Sequence, residues 1–316
     1  MVDRPQPTER LGHRVRETMI PERFTGHASR AKNKPSQDSY VLILRRGRVG
    51  VFDGVGGEPR GMNAAETASL SIVSQTEHQK PAETEQAVID NMTRLLQTAN
   101  NDVRKTGGKT TATVAQLFAV DGQQKVLFGN VGDSQGYVWR KPRFFMRGKL
   151  QPITISDDLI HQALSPRNAA RLSQELDNSH RLRHPNRTYK FEHEIPDFPI
   201  YVNDVETHQR RTRATQQEFF NVRAKITAAL GSHRILPRLS ITDVKPGDII
   251  LLTTDGIHDN LTTSDIKRIV SRNRKKPQAA AEALVAAAER KSKEEVTIIN
   301  IRPKNDDMTA VAIRVS

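Results

Sequence analysis

Apolar and polar positions along the chain follow two periods. Residues 39–44, 49–52, 111–118, 125–130, 135–140, 249–254 and 308–315, with a weaker run around 150–155, are short, β-branched or aromatic, and bordered by turn-forming residues. They read as strands. The run 249–254 is the most continuously apolar and predicts the strongest buried strand of the chain. Residues 63–77, 84–104, 263–273 and 277–291 have the helical period instead. In the second of these, Val88, Met92, Leu95, Leu96, Ala99 and Val103 form one stripe, which predicts packing against a sheet. Strands follow one another from 111 to 155 without a segment long enough to cross over, so the sheets are expected to be mainly antiparallel.

The basic turn at Arg45, Arg46, Gly47 and Arg48 joins the first two strong strands into a hairpin. That pairing places Asp38, at the start of one strand, beside Asp53, at the end of the other. Residues 1–31 are polar and irregular, an arm or a first edge strand. The segment 158–225 is rich in Arg, Asn, Gln and His and reads as an insertion of solvated loop and surface helix. Its histidines 161, 180, 184, 193 and 208 match no metal-ligand spacing. The expected organisation is an N-terminal arm, 1–23, and one domain, 24–316, with a basic insertion at about 158–225. No internal repeat is evident.

Composition narrows the chemistry. With no cysteine among 316 residues, disulfides, zinc–thiolate sites and thiolate nucleophiles are excluded. A formal net charge of +13 implies attraction to polyanions, whether nucleic acid, an anionic membrane surface or phosphorylated protein. No zinc-finger spacing or aromatic-interleaved RNA motif accompanies it, so specific nucleic-acid binding is not expected. No apolar run approaches the roughly 20 residues of a membrane span. The charged first residues lack a secretory h-region, and the expected location is cytoplasmic.

Candidate chemistry lies at the strand ends. Val51-Phe52-Asp53-Gly54 is repeated in kind by Leu252-Thr253-Thr254-Asp255-Gly256, and Asp133 follows the strand 125–130. Asp306 precedes the last strand and Asp38 precedes the first strong one. Taken alone, Asp-Gly signals a tight hairpin turn. Five strand-terminal aspartates, however, can converge on one edge of an antiparallel sandwich, and their mutual repulsion calls for a cation. An all-oxygen donor set without histidine favours Mg²⁺ or Mn²⁺ over Zn²⁺. Gly107-Gly108-Lys109-Thr110-Thr111 resembles the end of a P-loop, but Val103 stands where its first glycine is needed, so that reading is rejected.

Seven pieces in order resemble the metal-dependent serine/threonine phosphatases of the PP2C (PPM) type. They are Asn33 to Ser39, Val51 to Gly57, Thr110 to Ala112, Asn130 to Ser134, Ile226 to Gly231, Leu251 to Gly256, and Asp306 to Thr309. Each is weak alone; the ordered set spans most of residues 24–316. The resemblance implies an α+β fold, a four-layer αββα sandwich of two antiparallel sheets flanked by antiparallel helix pairs. It makes Asp53 the carboxylate that bridges two ions, with the Gly54 carbonyl and the carboxylates of Asp38, Asp255 and Asp306 completing the sites. Asp133, with Asp259 nearby, corresponds to a third, weaker metal site.

The implied reaction is hydrolysis of phosphoserine or phosphothreonine in proteins. Two ions about 4 Å apart share and activate the attacking water, without a covalent enzyme intermediate. The implied partners are phosphorylated proteins or a cognate Ser/Thr kinase.

Three departures mark this chain. Val55 stands where some members carry a histidine proposed as general acid. The arginine that often grips the phosphate has no clean counterpart, with Lys34 the nearest candidate and Arg30 the second. Asp307 replaces an asparagine and adds charge beside Asp306. Val55 and the missing arginine motivate an alternative, a catalytically silent regulatory or binding module of the same fold; charge alone motivates a polyanion-binding protein. The insertion is expected to form a flap beside the metals that helps select phosphorylated partners.

Overall fold

The structure, a computed structural model, describes residues 15–32, 35–55, 60–141, 148–190, 213–222, 225–297 and 299–316. In chain order the strands are β1 (Val15–Glu17), β2 (Thr25–Arg30), β3 (Asp38–Ile43), β4 (Arg48–Val55), β5 (Lys109–Thr110), β6 (Ala112–Val120) and β7 (Gln123–Val131). They continue with β8 (Gln135–Arg140), β9 (Lys149–Pro152), β10 (Thr188–Lys190), β11 (Arg213–Thr215), β12 (Arg238–Asp243), β13 (Ile249–Thr253) and β14 (Met308–Arg314). The helices are α1 (Arg60–His78), α2 (Glu85–Thr106), α3 (Leu159–Ala163), α4 (Pro166–Asp177), α5 (Gln216–Asn221), α6 (Asp255–His258), α7 (Thr263–Arg272) and α8 (Pro277–Ser292).

One sheet runs β12-β7-β6-β4-β3, with β1 added on β6 and β5 on β4; the other runs β2-β14-β13-β8-β9. Every pairing in both is antiparallel. Strand alternation explains how they stack, because successive side chains point to opposite faces. In β13, Ile250 and Leu252 face the other sheet, while Ile249 and Leu251 face the helices. In β6, Ala115 and Leu117 point inward between the sheets, and Val114 and Phe118 point outward beneath α1 and α2. The core is therefore three apolar layers: helix pair on sheet, sheet on sheet, and sheet on the second helix pair. This is the αββα sandwich expected from the sequence. Strands buried on both faces must be apolar at nearly every position, which is why 249–253 lacks a polar residue until Thr253.

Two expectations change. Residues 238–243 were not expected as a strand, yet β12 forms the edge of the first sheet; its mixed, half-buried pattern hides the period. Residues 226–231 contribute the isolated bridges Asp158↔Ile226 and Thr110↔Leu230. Within the described residues, the segment after Asp158 is not simply solvated loop. Ile160, Leu172, Leu176, Tyr189, Phe219 and Phe220 close a small apolar core of their own between α3, α4, α5 and the β10–β11 pair. Ala169, Leu172 and Leu176 on α4 share a helical period, but the other apolar residues are dispersed among polar ones, which is why composition masked them.

Candidate metal centre

The hairpin β3–β4 brings Asp38 into register directly opposite Asp53. Asp53 is also held from the far side of its strand. Its N–H donates to Thr111 Oγ1 at 3.0 Å, and its carbonyl accepts from the Thr111 N–H and the Thr110 hydroxyl, each at 2.8 Å. The second sheet contributes Asp255 directly after β13 and Asp306 just before β14, neighbouring antiparallel strands. A threonine pair joins the two sheets at this edge. The Thr254 hydroxyl donates to Asp38 Oδ2 at 2.8 Å and accepts from the Thr309 N–H at 2.9 Å. Asp133, in the turn between β7 and β8, is buried at the same end.

Neither Asp-Gly forms a hairpin turn. Strand β4 continues through Gly54 to Val55, and Asp255 begins α6. The glycines serve close approach instead. A Cβ on Gly54 would strike the carbonyls of Gly61 and Gln37, and one on Gly256 would strike the carbonyl of Asp307. Gly54 thus admits the start of α1 and the loop before Asp38, and Gly256 brings the segments of Asp255 and Asp306 together.

Electrostatics shows how closely the acids gather. Burial, then the repulsion of Asp255, Asp38, Asp133 and Asp306, pushes the Asp53 carboxyl well above the usual range. Burial pushes Asp38 up to about 8, with the Thr309 and Thr254 hydroxyls opposing and Asp307 and Asp255 reinforcing. Asp133 and Asp306 are raised as well, by burial first and Asp255 second. Two buried oxygens at this edge, Asp38 Oδ1 and Asp255 Oδ1, have no hydrogen-bond partner. Raised carboxyls and unpartnered acceptors are compatible with a cationic ligand, and the all-oxygen donor set suits a hard divalent ion.

Among the described residues, no three His, Asp or Glu side chains are drawn together as a ready coordination shell. The positive charge inside the cluster is the ammonium of Lys304. It pairs with Asp255, with Asp306 at 3.0 Å and with Asp259 at 3.1 Å. The sequence reading missed Lys304, although its place two residues before Asp306 was the available signal.

The remaining predicted residues divide. Asp259, at the end of α6, joins the cluster through Lys304. Arg30, at the end of β2, ion-pairs with Glu289 on α8, and Lys34 lies outside the described residues. Asp307 adds its charge beside Asp38, whose carboxyl it helps to raise, and it is hydrogen-bonded as well. Its carboxylate accepts the backbone N–H groups of Lys32 and Gln37, each at 2.5 Å, and pins the loop that leads to Asp38.

The insertion reaches the same end of the sandwich. A cleft of about 600 Å³ is lined by Asp133, Asp259 and His258 on one side and by His161, Gln174 and Asp177 of the insertion on the other. Buried Arg302 ties the two sides together, donating to the carbonyls of Leu176 at 2.6 Å, His258 at 2.5 Å and Asp259 at 3.0 Å. Its role, too, was illegible in sequence.

No protein-family profile matches the sequence, and no curated protein matches it significantly. Solved structures do. The PPM Ser/Thr phosphatase MsPP from Mycobacterium smegmatis, in complex with cacodylate, is similar with a TM-score of 0.62 at 19% identity, over 95% of this chain and 100% of that one. The serine/threonine phosphatase Stp1 from Staphylococcus aureus gives 0.60 at 18% identity, over 95% and 96%. The catalytic domain of the serine/threonine phosphatase PstP, in complex with two manganese ions, gives 0.60 at 17%, over 96% and 100%. The chain therefore has the fold of the PPM-type, or PP2C, serine/threonine phosphatases.

Proposed function

We propose that this chain is a Mg²⁺- or Mn²⁺-dependent protein phosphatase that hydrolyses phosphoserine and phosphothreonine by direct attack of water. The observation that carries this reading is the gathering of Asp38, Asp53, Asp133, Asp255 and Asp306 at one end of the sandwich, with oxygens of Asp38 and Asp255 left unpartnered. Asp53, the Gly54 carbonyl, Asp38, Asp255 and Asp306 would hold two ions, and Asp133 with Asp259 a third, weaker one. That a neighbour of the same fold was solved with two manganese ions supports the assignment. When bound, the ions supply a water of lowered pKa and positive charge for the phosphoryl oxygens.

The chain's own groups supply position. Thr111 and Thr110 fix the backbone of Asp53, Thr254 orients Asp38, and Asp307 holds the loop before it. The cleft against the insertion is suited to the polypeptide flanking the phosphorylated residue, so the insertion acts as a substrate-selecting flap.

The test is phosphate release from a phosphothreonine peptide with and without Mn²⁺, by wild type, Asp53→Ala and Asp255→Asn. Activity of the wild type alone, dependent on Mn²⁺, is expected. An inert wild type with either metal would sink the enzyme reading, and mutants as active as wild type would sink the site assignment. A second reading, a catalytically silent binding module, is favoured by one observation, the lysine lodged among the acids. It predicts a protein that hydrolyses no phosphopeptide.

A further inference from the structure

We propose that Lys304 is a tethered competitor for the divalent-cation site: its ammonium holds Asp255, Asp306 and Asp259 in the metal-free chain, and an ion binds only as that side chain withdraws. The inference rests on the metal-centre reading given above and adds a residue that sets the affinity of that centre.

An ammonium has three donors and no acceptor, and here three carboxylates surround it. Two of them, Asp255 and Asp306, are the ones assigned to the ions. A divalent cation approaches its oxygen ligands to about 2.0–2.1 Å when it is Mg²⁺. An ammonium on the same oxygens would then stand against it, charge to charge, so the two occupants exclude each other. One positive charge also under-compensates the cluster, since Asp38 Oδ1 and Asp255 Oδ1 remain unpartnered. A divalent ion has more to gain there than Lys304 does.

The backbone shows which part must move. The Lys304 N–H donates to Asn260 Oδ1 at 2.9 Å, and the Asn260 amide returns a bond to the Lys304 carbonyl at 2.8 Å. Asn260 is itself fully buried and bonded to the Gly256 carbonyl. Two residues earlier, Arg302 is fixed to three carbonyls. The main chain is thus clamped, and the exchange falls to the flexible four-carbon stem. That side chain is 24% exposed, so it has a path to solvent, where an ammonium is strongly hydrated.

The test is Mn²⁺ binding to the metal-stripped full chain, by calorimetry, for wild type, Lys304→Met, Lys304→Gln and Asp255→Asn. If Lys304 occupies the acids in about nine molecules of ten, removing it tightens Mn²⁺ binding about tenfold, because apparent affinity scales with the competent fraction. The metal-free Lys304 variants should also melt below wild type, and that deficit should vanish in saturating Mn²⁺. Folding of a variant only with Mn²⁺ would support the proposal equally.

Unchanged or weaker Mn²⁺ binding in both Lys304 variants would overturn it. So would variants that stay unfolded with and without Mn²⁺, since Lys304 would then be a fixed structural counter-ion. If wild type binds Mn²⁺ and Asp255→Asn does not, while the Lys304 variants match wild type, this inference alone fails. If neither wild type nor the Lys304 variants bind Mn²⁺, the metal-centre reading fails and takes the inference with it.

Discussion

Strand β4 carries an ionisable side chain towards each end, buried Arg48 and half-buried Asp53, and the two surroundings treat them oppositely. At its start, Arg48 is 2% exposed, and its guanidinium meets neutral acceptors throughout: Gln116 Oε1 at 2.8 Å, Thr76 Oγ1 at 2.5 Å and Gln79 Oε1 at 2.9 Å. Burial lowers its pKa to about 10, with Glu17 opposing, still far above neutrality, so the charge is retained, and each guanidinium nitrogen has an acceptor. That end is closed, and it fastens α1 and the segment after it to the sheet. At the other end, Asp53 sits among Asp38, Asp133, Asp255 and Asp306, whose repulsion nothing local fully offsets. A buried charge met by neutral acceptors is architecture; a cluster of aspartates that one lysine only partly offsets is a place where a cation can bind.

The comparison can be broken at either end. The largest effect is expected from Asp53→Ala, which should cut Mn²⁺-dependent phosphate release by more than about 100-fold, beyond the 10–100-fold typical for residues that only support a metal ligand. Far-UV circular dichroism should show the fold retained. Asp307→Asn is next. It weakens the two charge-assisted amide contacts that pin the loop before Asp38, so chemical denaturation should show a loss of about 1.5–3 kcal/mol, together with reduced activity.

Arg48→Met probes the closed end. Leaving Thr76, Gln116 and Gln79 without their donor should lower stability by about 1–3 kcal/mol, while turnover per folded molecule stays at the wild-type level. Equal losses of activity at both ends would abolish the distinction drawn here.

The smallest effect tests how far the acidic end extends. Asp177, at the close of α4, is pushed up from 3.8 to about 6 by burial, with the Arg302 guanidinium opposing and Asp259 reinforcing. A carboxyl raised in the folded state binds a proton there that the unfolded chain has released. Its contribution to stability is therefore full below the ordinary carboxylate range and is lost as pH rises from 3.8 through about 6. Asp177→Asn should flatten that part of the stability–pH curve, measured by urea unfolding at several pH values, and leave the rest unchanged.

Much of this was legible in the chain itself. A continuous apolar run identified the buried strand 249–253 and a period of 3.6 the long helices, because both signals are complete within a few neighbouring residues. The same locality predicted the β3–β4 hairpin and the meeting of Asp38 with Asp53. Strand β12 and the core of the insertion escaped because their burial is partial or assembled from distant residues. Asp-Gly was legible as a signal and misleading as a turn, since both glycines serve close backbone approach. That depends on Gly61, Gln37 and Asp307, none of them adjacent.

Acids at strand ends, and the order of motifs that specifies the sandwich, are written in the chain. Where charge is balanced is settled by the folded chain. It turned Arg30 toward Glu289, gave Asp307 two backbone amides, and set Lys304 among three carboxylates. The physical reason is that electrostatic balance depends on distance and burial in space, and neither is encoded by any run of neighbouring residues.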